Sequence, residues 1–131
     1  MDAAKRIAQM KWIIIDEVSM LSANLLAEID MHLRSVMTQV NKMKCDDRDM
    51  DRSFGGINIL FVGDFMQLDP TTGIGLNKIP SAWIKKGRKY APSATDEHGH
   101  FLFWGQGEGS VQGVTVLSEC KRHEEDDTWL M

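Results

Sequence analysis

An α/β fold built on a parallel sheet is the class this sequence predicts, on three observations. Two short runs, Trp12-Ile13-Ile14-Ile15 and Ile57-Asn58-Ile59-Leu60-Phe61-Val62, are apolar with little alternation, the pattern of strands covered on both faces. Between them lies one stretch whose apolar residues recur at helical spacing. Strand, helix, strand, long connection, strand is then the order expected of a parallel sheet.

The elements follow in chain order. Residues 1–10 are polar and mixed and read as a frayed lead-in. The first strand carries three β-branched residues and stops at Asp16-Glu17. Ser22 suits a helix N-cap, with Leu21 and Leu26 spaced as a hydrophobic staple. Leu25, Leu26, Ile29, Leu33, Val36, Met37 and Val40 form one stripe, so residues 23–40 are expected to be a helix lying on the sheet. Residues 41–53 are crowded with charge and read as a solvated loop. Phe54-Gly55-Gly56 punctuates the chain before the second strand, which Gly63-Asp64 ends. From Thr71 to Gly113 there is little periodicity, with short helical pieces expected at 81–86 and 101–104. Val114-Thr115-Val116-Leu117 reads as a third strand, and residues 124–131 as the opening of another helix.

The 131 residues are 43% hydrophobic and 26% charged, which fits one globular domain. No apolar run reaches the roughly 18–20 residues a membrane span needs, and no apolar stretch of the kind a secretory leader carries follows Met1-Asp2-Ala3-Ala4-Lys5-Arg6. Two cysteines build no disulfide framework, so a reducing compartment, nucleus or cytoplasm, is expected. The net charge of −4 excludes a surface that holds nucleic acid by charge over its whole extent. Any such contact must be local, or supplied by parts of the protein outside these residues.

In open parallel sheets ligands bind beyond the carboxyl ends of the strands, and functional residue types gather there. Asp16-Glu17 follows the first strand, Gly63-Asp64 through Gln67 the second, and Arg122 comes shortly after the third. A carboxylate delivered by an apolar strand can hold Mg²⁺ against the phosphates of a nucleotide, while an adjacent carboxylate orients or deprotonates the attacking water. Two acids opening a loop are the plainer reading of the same pair. Gln67 can both donate to and accept from a γ-phosphate or its water, and Arg122 can place a planar, permanently charged fork on it. Alone, either reads as a solvated surface residue.

Taken together, the segments resemble the PIF/RecD-like helicases of superfamily one. Asp16-Glu17-Val18-Ser19-Met20 resembles their Walker B segment, and Gly63-Asp64-Phe65-Met66-Gln67-Leu68-Asp69-Pro70 the following segment, G-D-x-x-Q-L-x-P. Phe54-Gly55-Gly56 and the Leu117-to-Arg122 spacing are similar to the same group, so the resemblance runs over about residues 12–129. Leu68-Asp69-Pro70, Phe103-Trp104 and Gln112-Gly113-Val114-Thr115 look closest to the branch encoded by Helitron-type mobile elements. Met66 departs from the aromatic or basic residue expected at its position.

The resemblance implies part of a RecA-like P-loop NTPase, a three-layer sandwich, with ATP and Mg²⁺ as cofactors and single-stranded or forked DNA as partner. It implies that Asp16 coordinates Mg²⁺ with Glu17 nearby as catalytic base. Asp64 and Gln67 would stand in the nucleotide site, with Gln67 linking the γ-phosphate to the DNA grip, and Arg122 would stabilise the transferring phosphoryl group. No G-x-x-x-x-G-K-[S/T] occurs, and Gly105-Gln106-Gly107-Glu108-Gly109-Ser110 lacks the lysine and carries an acid. The chain therefore reads as residues 1–131 of an incomplete motor domain, without its phosphate-binding loop and second motor domain. The other readings are an inactive remnant or non-catalytic nucleic-acid-binding module from a decayed mobile-element gene, and a P-loop ATPase unrelated to DNA.

Two further constellations need weighing. Trp83 among Lys85, Lys86, Arg88 and Lys89 could track a single strand by stacking and charge. A solvated basic loop with Trp83 packed on the core is the reading that such connections favour. Cys45, His98, His100, Cys120 and His123 fit no structural zinc spacing and read as polar loop residues.

Overall fold

The computed structural model describes residues 2–45, 51–78, 93–105 and 109–119. Its elements are α1 (Ala3–Ile7), β1 (Trp12–Ile15), α2 (Ala23–Gln39), β2 (Asn58–Phe61) and α3 (Ala94–Trp104), with 3-10 turns at Val18–Met20 and Ser53–Gly56. β1 and β2 pair in parallel, Trp12 opposite Asn58 and Ile15 opposite Phe61. Lys11 O accepts both the backbone and the side-chain N–H of Asn58, at 3.1 and 3.0 Å, which pins the start of the ladder and explains the polar residue inside an apolar strand.

Parallel strands need a crossover, and α2 is part of it. Ser22 caps α2 by accepting from Leu25 N at 3.2 Å. Leu26, Leu33 and Met37 are buried along the expected stripe, with Ala23 and Ala27 beside them. The strand side chains that meet this core are Ile13, Ile15, Ile59 and Phe61. The opposite face of the sheet is open: Trp12 is 63% exposed and Ile14 66%, with Leu60 beside them. Strands expected to be covered on both faces are thus covered on one by the described residues.

Three other expectations change. The lead-in is a short helix because Asp2 caps it and Ile7 packs on the core. The helix expected at 101–104 begins earlier, because Ser93 and Asp96 form a reciprocal capping box, and α3 runs from Ala94 to Trp104. The strand expected over Val114–Leu117 is not formed. Residues 111–119 carry no ladder, and Val114, Val116 and Leu117 stand exposed; among the described residues β1 and β2 pair with one another and not with this segment. The expected helices at 81–86 and 124–131 lie outside the described residues.

α3 packs on α2 at a point where only glycine fits. A Cβ on Gly99 would collide with the carbonyl oxygen of Ala23. The same interface holds a buried acid. Asp30 is 1% exposed and occupies a position in the apolar stripe, between Leu26 and Leu33. Its carboxylate accepts from Phe54 N, from Arg34 Nε, and meets His98 Nε2 at 2.8 Å. Phe54 and Gly55 take left-handed φ values of 54° and 63°, which turns the Phe54 N–H toward Asp30 and seats the turn against α2.

Removing the acceptor leaves a buried N–H and a cavity between three segments. Asp30→Ala should lower unfolding free energy by about 3 kcal/mol, and Asp30→Asn, which keeps an acceptor for Phe54, by clearly less. Urea titration of the three proteins checks the order.

Candidate functional site

The parallel register brings the ends of β1 and β2 to one edge in step. Val62 N donates to Ile15 O at 2.9 Å, and Val18 N donates back to Val62 O at 3.0 Å, so the two exits are stitched together just past the strands. Asp16-Glu17 and Gly63-Asp64 are the residues at these exits. Gly63 has φ 147°, and a Cβ there would meet Val18 N at 2.7 Å. The close approach of the two exits therefore requires glycine.

Asp16 and Glu17 are both solvent-exposed. Asp16 Oδ1 accepts from Glu17 N at 2.7 Å. Glu17 is left-handed (φ 53°, ψ 49°), a conformation that costs a residue with a Cβ about 1 kcal/mol. The chain thereby turns sharply out of the strand, and both carboxylates stay at the edge of the sheet. Such local strain was not legible in a run of Ile-Ile-Ile-Asp-Glu, because glutamate carries no αL preference.

After β2 the chain makes a tight turn. Asp64 Oδ1 accepts from Met66 N at 2.8 Å and Asp64 O from Gln67 N at 3.1 Å. Asp64 thus shapes the turn with its carboxylate, while Met66, Gln67 and Leu68 are exposed, Met66 by 91%. Phe65 points the other way and packs with the core. Beyond the turn, Asp69 accepts from Asn77 Nδ2 at 3.1 Å and Lys78 Nζ at 2.9 Å. These bonds hold the Asp69 carboxyl below the usual carboxylate range, the Lys78 hydrogen bond first and the Asn77 hydrogen bond second. Ala23 N donates to Ile74 O at 2.8 Å, tying the loop after Gln67 to the start of α2.

The structure therefore brings Asp16, Glu17, Asp64 and Gln67 to one edge of the sheet. Arg122, Trp83, Lys85, Lys86, Arg88 and Lys89 lie outside the described residues, as do Cys120 and His123. His98 is engaged with Asp30, and His100 Nε2 lies 3.2 Å from Lys78 O. No group of three or more His, Cys, Asp or Glu suited to a metal occurs among the described residues, and no described helix is long and apolar enough to cross a membrane. For Mg²⁺ the donor chemistry fits: the ion retains several waters and typically takes one or two carboxylates plus substrate phosphates. Asp16 offers an exposed carboxylate, of which Oδ1 accepts from Glu17 N and Oδ2 has no hydrogen bond among the described residues. Sequence reasoning missed Asp30 and Phe65. An acid at a stripe position of α2 was the available signal for the first, and the aromatic residues of α3 for the second.

Comparison with known proteins agrees with these motifs. The model of the PIF1-like helicase family matches residues 1–91. The ATP-dependent DNA helicase PIF1 of Saccharomyces cerevisiae (strain YJM789) is 37% identical over 60 residues, which is 46% of this chain and 6% of that protein. The ATP-dependent DNA helicase PIF1 of Homo sapiens is 35% identical over 60 residues, 46% of this chain and 8% of that protein. The matched stretch is thus a small part of the curated relatives. The crystal structure of Pif1 helicase from Bacteroides in complex with ADP-AlF3 and ssDNA is similar over 53% of this chain and 14% of that one, with 33% identity and a TM-score of 0.43.

The Asp69 tether predicts a pH response. Its folded-state pKa is depressed, so its contribution is complete above the ordinary value of 3.8 and is lost as pH falls through the lower, folded-state value. In an NMR titration of the side-chain carboxyl carbon, Lys78→Met should move the Asp69 midpoint upward toward 3.8. An unmoved midpoint would show that Lys78 does not hold it.

Proposed function

The chain belongs to the PIF1-like helicase family, and on that premise we propose that it forms part of the ATP-hydrolysing motor of a DNA helicase. Within this reading the sheet belongs to a RecA-like sandwich, and ATP hydrolysis drives movement along, or unwinding of, single-stranded or forked DNA. The observation that supports it most is the stitched pair of strand exits, Val18 N to Val62 O, which sets Asp16-Glu17 beside the Asp64–Gln67 turn at the carboxyl edge of a parallel sheet.

Each residue then has a task set by its chemistry. Asp16 would hold Mg²⁺ through its exposed carboxylate. Magnesium, when bound with ATP, neutralises charge on the phosphates. Glu17, turned out of the strand by its left-handed backbone, accepts the proton of the attacking water. Asp64 sets the turn that presents Gln67, whose carboxamide reads the γ-phosphate and relays its presence to bound DNA. Arg122 stabilises the phosphoryl group in transfer. The 131 residues contain no glycine-lysine phosphate loop, so the backbone N–H cradle and lysine for the β- and γ-phosphates come from elsewhere in the motor.

Steady-state kinetics on a longer helicase polypeptide that carries these residues and a phosphate loop test the assignment. Glu17→Gln should leave nucleotide binding nearly intact while removing turnover, and Asp16→Asn should weaken Mg²⁺-dependent binding instead. Gln67→Ala should reduce stimulation by single-stranded DNA more than ATP affinity. Arg122→Ala should cost about 10³–10⁵ in turnover, with Arg122→Lys recovering only part, since an ammonium lacks the planar fork. Parental turnover and binding in both carboxylate variants would sink the reading. The 131-residue chain alone should show no ATP turnover above buffer, and turnover that Glu17→Gln abolishes would overturn that expectation.

A further inference from the structure

We infer that α3 is a bracket that fixes Gln67 relative to the Asp16-Glu17 exit, with Phe65, Phe103 and Trp104 as positioning residues. The functional half of this inference rests on the reading of Gln67 as a γ-phosphate contact. The mechanical half rests on contacts at the two ends of the helix.

The first half of α3 is fastened to α2. Gly99 lies against the Ala23 carbonyl, and His98 meets the buried Asp30 at 2.8 Å. Ala23 is the first residue of α2, and the 3-10 turn Val18–Met20 joins it to Glu17. Position along α3 is therefore referred to the β1 exit.

The last turn of α3 is fastened to the segment that follows β2. Phe103 stands edge-on to Phe61 at 5.0 Å and to Phe65 at 5.6 Å, and Phe65 lies over Trp104 at 6.1 Å. Edge-on and offset aromatic contacts have directional preferences that aliphatic packing lacks. The Trp104 indole N–H donates to Leu76 O, and His100 contacts Lys78 O, on the far side of the same loop. Trp104 is 52% exposed. Its burial gains less than that of a core aromatic, whereas the bond to Leu76 O is directional.

Met66, Gln67 and Leu68 are exposed, and among the described residues the turn closes on Asp64, with Asp69 beyond it tied to Asn77 and Lys78. Phe65 is the residue through which the turn meets the core. Without the aromatic seat, Gln67 could pivot about Asp64. With it, Gln67 keeps a fixed position relative to the stitched strand exits, and displacement of α3 moves the turn relative to Asp16-Glu17.

Amide hydrogen exchange by NMR on the full 131-residue chain tests the bracket without nucleotide. Met66 N and Gln67 N are bonded to Asp64, and Leu33 and Val36 within α2 report global opening. In Phe65→Leu and in Trp104→Phe, exchange at Met66 and Gln67 should rise about tenfold or more while the α2 amides stay within about twofold. Phe65→Tyr should restore protection. Unchanged exchange at Met66 and Gln67 would overturn the inference, as would a rise shared equally by α2, which marks general destabilisation. Trp104→Phe keeps an aromatic ring and alters a half-exposed residue, so it decides the matter if Phe65→Leu does not fold. The Gln67→Ala kinetics judge the γ-phosphate reading separately, since exchange requires neither ATP nor DNA.

Discussion

A carboxylate taken out of water must be met by donors, and in this chain that requirement falls on Asp30. Three segments answer it: Arg34 from the next turn of α2, the Phe54 N–H from the turn before β2, and His98 from α3. An ordinary apolar residue at this stripe position would be content with any oily neighbour. The carboxylate instead demands particular groups from particular directions, which selects one way for the turn and for α3 to lie on α2. The turn before β2 adopts a left-handed Phe54 to comply. That docking places the turn that leads into β2, whose ladder with β1 the Asn58 bonds to Lys11 O then pin, and the height at which the last turn of α3 meets the segment after β2.

The strands and α2 were legible because their signals are local. Three β-branched residues in Trp12–Ile15 and a stripe over a long helix announce themselves without reference to partners. Ser22 was legible as a cap for the same reason, since its bond to Leu25 N spans one turn. What could not be read depends on non-local pairing. Val114–Leu117 has strand composition, but a strand exists only where another edge accepts its ladder, and composition does not say whether one does. α3 was hidden by His98, Gly99 and His100, which interrupt any stripe, although its Ser93–Asp96 box was in plain view. Gly99 looks like a helix weakener until the Ala23 carbonyl beside it is known.

The candidate site divides in the same manner. Asp16, Glu17, Asp64 and Gln67 were legible as chemistry at strand ends, and the parallel register puts them at one edge. Their support was not. Phe65 and Asp69 read as fillers of a motif, yet one faces the core and the other ties the loop back to Asn77 and Lys78. A motif written as letters weights its positions alike, whereas the folded turn sorts them into residues that present and residues that hold.

Glu17 illustrates a conflict that this sorting leaves in place. Its left-handed backbone favours glycine or asparagine, so a population drifting under selection for foldedness alone would move toward those residues and gain stability. Either replacement would delete the carboxylate proposed to take the proton from water. If Glu17 has the role proposed for it, the identity of this position records which pressure has prevailed: among related chains, glycine or asparagine here would mark copies released from that role, and glutamate copies still held to it.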